Sequence, residues 1–401
     1  MHYQSLKKLF HIDEHKANEI YTQRINSESA HKLGIEMNGF ECFYIVNDEI
    51  VSLIGKIYSL NSWIQAVFYP DQLPYSSKGF LAIKSMVEEI RSSNKIEGIY
   101  STRKEIEKII SDHSSNGYRR FYGLVNKYQK IMHKDLPIVE TSQEVRKLYD
   151  EVLLQDILNE DEKDAPDGVI FRKEDVGIHS GTKVIHSGVS GEANIIEMMD
   201  KSLKIFNNDD INLLIRVAIF HYLFEYIHPF YNGNGRMGRF LISGYLAQDL
   251  DILSAFQLSI ACLHNSHKYY EAFKQTNDVR NKSDLTIFII AFLEIYLQGL
   301  EELKENLEIT KAIYNQMQVK IEKNFDGKQL EILSLMLIVK LFGSETLTMN
   351  QLVQYTELTQ QTVKKIIKNM NDEYENIKID QTRKPYQYTL DLEAVSLLKN
   401  E

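Results

Sequence analysis

Apolar positions along this 401-residue chain recur mostly at helical spacing. In GFLAIKSMVEEIRSSNKIEG, Leu81, Met86, Ile90 and Ile96 share a rough helical period, and Gly98 marks the stop. A second helix follows in STRKEIEKII, where Thr102 and Glu105 are spaced as a capping box. From Asp161 the pattern changes. Glycine and β-branched residues dominate, and residues 176–178 and 183–185 read as two short strands around a Ser180-Gly181 turn. Helical spacing returns after Asn194. DINLLIRVAIFHYLFEYI, residues 210–227, is apolar nearly all round, which predicts a buried central helix. It stops at His228-Pro229, because a proline disfavours helix in the residue before it. MGRFLISGYLAQDL predicts another buried helix beyond a glycine cluster.

The last quarter has its own pattern. A charged stretch over residues 305–326 leads into a separate C-terminal domain. KQLEILSLMLIVKLF predicts one helix, and MNQLVQYTELTQQTVKKIIKNM two helices joined by a turn near residues 356–359. NIKIDQTRKPYQYTLD predicts a hairpin turning at Arg383-Lys384. Helix, helix–turn–helix and hairpin is the order of a winged helix.

Composition narrows the class. An apolar share of 43% and a charged share of 25% are ordinary for a soluble globular protein. A net charge of −10 argues against a general nucleic-acid coat or a membrane-surface binder. Cys42 and Cys262 stand far apart in apolar surroundings and read as buried thiols in a reducing compartment. The N-terminus reads as free of a signal peptide, and the most apolar run, LTIFIIAFL, is too short to span a membrane. A cytoplasmic location is the expectation.

The candidate chemistry gathers in HPFYNGNGRMGRF, His228 to Phe240. It contains G-x-G-x-x-G, the dinucleotide fingerprint. That fingerprint needs a preceding strand and a βαβ unit, and here a long helix precedes it, so the dinucleotide reading is rejected. The physics of anion binding remains. Gly233 and Gly235 let the backbone approach an anion at the start of the next helix, near Arg236. Arg236 and Arg239 are three apart and share one helix face, placing two guanidiniums for phosphate. His228, at the other end of the loop, is suited to take a proton from a nucleophile.

HPFYNGNGRMGR resembles the Fic family motif HPFx[D/E]GNGRxxR, and SNKIEG, Ser93 to Gly98, resembles that family's inhibitory motif [S/T]xxxE[G/N]. FHYLFEYI is similar to the helix before the motif, and HKYYEAF to a region after the core. The resemblance implies a mainly α fold: a helical domain over residues 1–100 carrying the inhibitory helix, a Fic-type core over 101–310 with a β-hairpin flap near 172–190, and a winged helix over 325–401. It implies a protein adenylyltransferase that moves AMP from ATP to a Ser, Thr or Tyr hydroxyl of a target protein or of itself. In some relatives AMP removal accompanies the transfer.

By the same resemblance His228 is the general base. Gly233, Asn234 and Gly235 form the anion hole, Arg236 supports the phosphates and Arg239 meets the γ-phosphate. Phe230 anchors the loop. Tyr269 and Tyr270 join the nucleotide site, and Val184 and Ile185 of the flap hold the target. Glu97, with Ser93, inhibits by pairing with Arg239. Asn232 departs from the pattern, since the family has there an acid that helps hold Mg²⁺ or Mn²⁺. An amide offers an oxygen but no charge. The implied outcomes are a metal held largely through ATP with weaker affinity (the expected one), a slow reaction, or a drift to nucleotide sensing. The competing function is a nucleotide-responsive DNA-binding regulator with a weak or inactive core. Lys364, Lys365 and Lys368, with Arg383 and Lys384, would face DNA phosphates. Residues 325–401 nevertheless carry nine Lys and Arg against eleven Asp and Glu, so a protein-docking or homodimerisation module is an equal expectation.

Overall fold

The computed structural model describes residues 3–69, 72–111, 118–180 and 183–398, with the backbone alone for 178–180 and 183–186. The fold is mainly α. The chain forms two compact units, Met1–Asn61 with Val87–Glu301, and Ser62–Met86 with Glu302–Glu401.

In the first unit an antiparallel hairpin, β1 (Ala30–Met37) and β2 (Phe40–Ile45), stands where the sequence predicts helix alone. Asn38 and Gly39 turn it with φ of 55° and 77°. Two successive positive φ values define the turn that Asn-Gly favours between strands. The backbone of Phe43 bonds to Ser283 and Leu285, tying β2 to a distant segment. Helix α1 (Tyr75–Ile96) ends where predicted. Gly98 has φ of 74°, its N–H bonds to the Lys95 carbonyl, and the Ile99 N–H bonds to the Asn94 carbonyl at 2.9 Å. This is a Schellman termination, in which glycine takes the left-handed position. The Thr102–Glu105 capping box forms, with both reciprocal bonds present.

The expected hairpin is present as the antiparallel pair β3 (Gly177–Ser180) and β4 (Lys183–Ser187), β3 starting one residue later than expected and both strands ending two residues later. Gly181 of the predicted turn lies outside the described residues. Helix α2 (Leu213–Ile227) is buried along almost its whole length, as its all-round apolar pattern requires. Asn212 caps its start through a bond from the Leu214 N–H. Helix α3 (Asn234–Asp249) begins two residues before the predicted Arg236. Phe206 stacks on Phe220 at 3.9 Å and on Tyr245 at 3.6 Å, locking α3 into the core through aromatic contact. Helix α4 (Ser266–Thr276) carries Tyr269 and Tyr270. Cys42 and Cys262 are both buried free thiols, and burial pushes the Cys262 thiol up to about 12.

Helix α5 (Thr286–Asn324) runs through the charged stretch read as a lead-in to a separate domain. Leu307, Tyr314, Met317 and Ile321 are buried there at spacings of seven, three and four, so an apolar face keeps the segment helical and the charges take the other side. No helix among the described residues is long and apolar enough to cross a membrane.

The second unit contains α6 (Gly327–Phe342), β5 (Leu347–Thr348), α7 (Met349–Thr356), α8 (Gln360–Tyr374), β6 (Ile377–Asp380) and β7 (Gln387–Leu390). The strands make an antiparallel sheet in the order β5-β7-β6. Val363, Ile367 and Met370 bury one face of α8, which leaves Lys364, Lys365 and Lys368 exposed on the other.

Candidate functional site

The HPFYNGNGR run connects the end of α2 to the start of α3. His228 caps α2 in the left-handed region, with φ of 52° and its N–H on the Phe224 carbonyl at 2.9 Å. Such a conformation is costly for a residue with a Cβ and needs outside support. Phe230 supplies part of it. Its ring is buried, stacked on Tyr149 at 3.7 Å and edge-on to Phe171 at 5.4 Å. Asn234 supplies more. Its side chain accepts from the Phe230 N–H at 3.0 Å and donates to the Phe230 carbonyl at 2.8 Å, closing the loop on itself.

Arg172 supplies the rest, and sequence reasoning missed it. This fully buried guanidinium donates to four backbone carbonyls: His228 at 2.8 Å, Glu174 at 2.7 Å, Val189 at 2.8 Å and Ile227 at 3.3 Å. It thereby joins the residues on either side of the flap to the histidine loop. Gly188 permits the approach, since a Cβ there would lie 2.5 Å from the Arg172 Nη2 and 3.1 Å from the His228 Cβ. No local signal marked Arg172, because its partners come from three separate stretches.

Gly233 is the residue before the first turn of α3, left-handed at φ of 80° and without a side chain to cap the helix. The first-turn N–H groups of Asn234, Gly235 and Arg236 have no partner within the helix and, with the helix dipole, favour an anion. Arg236 is 1% exposed. Its Nη2 reaches the Asn232 Oδ1 at 3.4 Å and Glu160 at 3.9 Å, while its Nε and Nη1 are buried without a hydrogen-bond partner among the described residues. Unused donors in a buried guanidinium are expensive and mark a place built for an acceptor.

Arg239, also 1% exposed, is held through its Nε and Nη2. Its Nη2 meets the Glu97 Oε1 at 2.8 Å and the Ser93 carbonyl at 3.0 Å, and its Nε donates to the Ser93 Oγ at 3.1 Å. Burial weakens the charge of this guanidinium, and the Glu97 carboxylate, together with Tyr269 and Glu225, more than offsets the effect. The Glu97 carboxylate also abuts Gly235, where a Cβ would collide with its Oε1 and come within 2.9 Å of the Arg239 Nη1. A carboxylate thus occupies the mouth of the helix where an anion is favoured.

Glu89, Ser93 and Glu97 lie four apart on one face of α1 and its last turn, and Glu89 was not foreseen. It is buried and bonded by the hydroxyls of Ser243 and Ser259. A charge on the apolar face of an amphipathic helix was the available signal. Glu225, one turn before His228, was missed as well. Burial first, then the Glu97 carboxylate, push it up to about 8, against the pull of Arg239.

The remaining candidates divide. Tyr269 is buried with its hydroxyl 2.7 Å from the His221 Nε2. Tyr270 is 51% exposed, and its hydroxyl donates to the Ile96 carbonyl at the end of α1. Val184 and Ile185 sit on β4, and their side chains lie outside the described residues. Asn232 donates from Nδ2 to the Asp164 carboxylate at 2.9 Å, and its carbonyl accepts from the Tyr149 hydroxyl at 3.0 Å. Among the described residues no three His, Cys, Asp or Glu side chains gather so as to hold a metal ion by themselves.

Residues 140–246 match the model of the Fic/DOC family. A probable protein adenylyltransferase of Aquifex aeolicus is 36% identical over 72 residues, which are 18% of this chain and 20% of that protein. The chain therefore spans about a fifth of the length of this curated relative. A Fic family protein from Desulfovibrio desulfuricans G20, solved by crystallography, shares the fold with a TM-score of 0.54 and 20% identity, over 87% of this chain and 97% of that one. The histidine loop, the uncapped start of α3 and both arginines all fall inside the matched segment, and the chain carries a Fic/DOC family domain over residues 140–246.

Proposed function

We propose that this protein transfers AMP from ATP to a hydroxyl side chain of a target protein, or of itself, and that Glu97 holds it inactive. One observation carries the reading: the uncapped start of α3 carries Arg236, with two buried donors unused among the described residues, and, one turn on, Arg239, whose guanidinium is held by Glu97. In the transfer the target oxygen attacks the α-phosphorus, His228 takes the hydroxyl proton, and the bond to the β-phosphate breaks to release pyrophosphate. The first-turn N–H groups and Arg236 stabilise the charge on the phosphates. Arg239 receives the γ-phosphate once Glu97 has left. A carboxylate and a triphosphate cannot share one guanidinium without strong repulsion. A divalent cation, Mg²⁺ or Mn²⁺, bound with the nucleotide would neutralise phosphate charge. Incubation with labelled ATP and Mn²⁺ tests this: the Glu97→Gly protein labels protein, and Glu97→Gly with His228→Ala does not. Equal labelling with and without His228 would exclude the mechanism.

A second reading is supported by the exposed Lys364, Lys365 and Lys368 on α8, the second helix of a helix–turn–helix followed by a hairpin. That is a DNA-facing arrangement for a nucleotide-responsive regulator. Gel shift at varied salt tests it, and binding without a salt-dependent slope would count against phosphate contact.

A further inference from the structure

Asn232 puts an amide where metal-assisted nucleotide chemistry asks for a carboxylate, and the fold sets a carboxylate beside it. The Asn232 Nδ2 donates to the Asp164 Oδ2 at 2.9 Å. The Asn232 Oδ1 faces the Arg236 Nη2 at 3.4 Å, which orients the amide with its donor toward Asp164. Asp164 ends the short 3₁₀ turn Glu162–Asp164, and its N–H bonds to the Asp161 carbonyl at 3.1 Å, so the turn positions the side chain. Asn232 bridges Arg236 and Asp164 through its two amide atoms and stands between the carboxylate and the guanidinium. A second observation points to a ligand here. Arg236 is 99% buried and leaves Nε and Nη1 without partners among the described residues, an acceptor site one side chain away from Asp164. Of the other acids acting on Arg236, Glu160 lies 3.9 Å from it and 4.0 Å from Arg120 and so faces two cations, Asp156 is bonded by the Tyr118 hydroxyl and the Phe121 N–H, and Glu97 is held by Arg239.

We propose that Asp164 is this protein's own carboxylate ligand for the divalent cation that accompanies ATP, in place of the acid that Asn232 lacks. The proposal rests on the AMP-transfer reading above. Mg²⁺ is commonly held by one or two carboxylates together with substrate phosphates and water. A single carboxylate next to a phosphate-binding arginine meets that requirement without a three-residue cluster.

Mn²⁺ binding tests it, followed by electron paramagnetic resonance on the full chain carrying Glu97→Gly, with α,β-methylene-ATP as the nucleotide. Asp164→Asn should weaken Mn²⁺ retention about tenfold or more, while analogue binding in EDTA stays as in the parent. Adding Asn232→Asp should return a carboxylate to the site and restore Mn²⁺ retention. Thermal unfolding followed by circular dichroism confirms that the isosteric Asp164→Asn chain is folded, and Asp164→Ser serves as a second variant. Unchanged Mn²⁺ affinity in both Asp164 variants overturns the assignment. Loss of analogue binding in EDTA overturns it too, since Asp164 would then serve the nucleotide rather than the cation. Absence of analogue binding in the Glu97→Gly parent, with or without Mn²⁺, overturns the AMP-transfer reading, and this proposal falls with it.

Discussion

The Glu97 Oε1 lies 2.8 Å from the Nη2 of Arg239, and the same guanidinium nitrogen bonds the Ser93 carbonyl one turn earlier on the same helix. One arginine of α3 is thereby held twice by the end of α1. Glu97→Gly removes the charged half of that grip. Protein labelling from ATP should rise about tenfold or more, the value of roughly 1.4 kcal/mol of barrier, with self-labelling included. Ser93→Ala should raise it less, because the backbone carbonyl of Ser93 keeps its bond. Autoradiography of the three proteins side by side measures the order.

Gly235 should tolerate no side chain. A Cβ there collides with the Glu97 carboxylate and crowds Arg239. Gly235→Ala is expected to push Glu97 away from Arg239 and still abolish labelling, since the same Cβ blocks the approach of phosphate to the first turn of α3. Combining it with Glu97→Gly separates the two effects. Activity in the double variant equal to that of Glu97→Gly alone would mean that the helix start does not receive phosphate.

Arg172 should act through His228. Its four carbonyl partners lose their donor in Arg172→Leu, at a cost of about 3 kcal/mol or more, read by urea denaturation. In a Glu97→Gly background the folded fraction should lose kcat more than KM, because the histidine moves and the nucleotide contacts do not. Arg172→Lys should recover part of the loss. A proportional change in both constants would place Arg172 in binding instead.

Glu225 should make stability depend on pH. Burial and the Glu97 carboxylate raise it to about 8 in the folded protein, whereas a free glutamate titrates near ~4.3. Between those values the folded state holds a proton that the unfolded state has released, so stability falls as pH rises through this window. Glu225→Gln stays neutral and should lack that slope. Chemical denaturation of both proteins at about pH 5 and about pH 8 should show the gap shifting in favour of the variant at the higher pH.

Local signals in the sequence were strong where the local backbone decides the outcome. Gly98 ends α1 because a left-handed residue must follow the last turn, and Thr102 caps the next helix through atoms three residues away. The Asn38-Gly39 turn carried a comparable signal and was passed over, because the short strands beside it hold polar residues that break a clean alternation. Residues 305–326 are helical despite their dense charges, because four buried apolar residues lie on one face.

By itself the sequence determined the histidine loop, the glycines that open the start of α3, the two in-phase arginines and the glutamate motif upstream, since each depends on spacings within a single turn or loop. Tertiary structure alone decided that Glu97 meets Arg239 across 142 residues, that Arg172 ties the flap to His228, and that Asp164 stands beside Asn232. Those pairings hold because buried charges and carbonyls must find partners once water is excluded, and which partner lies within reach is set by packing.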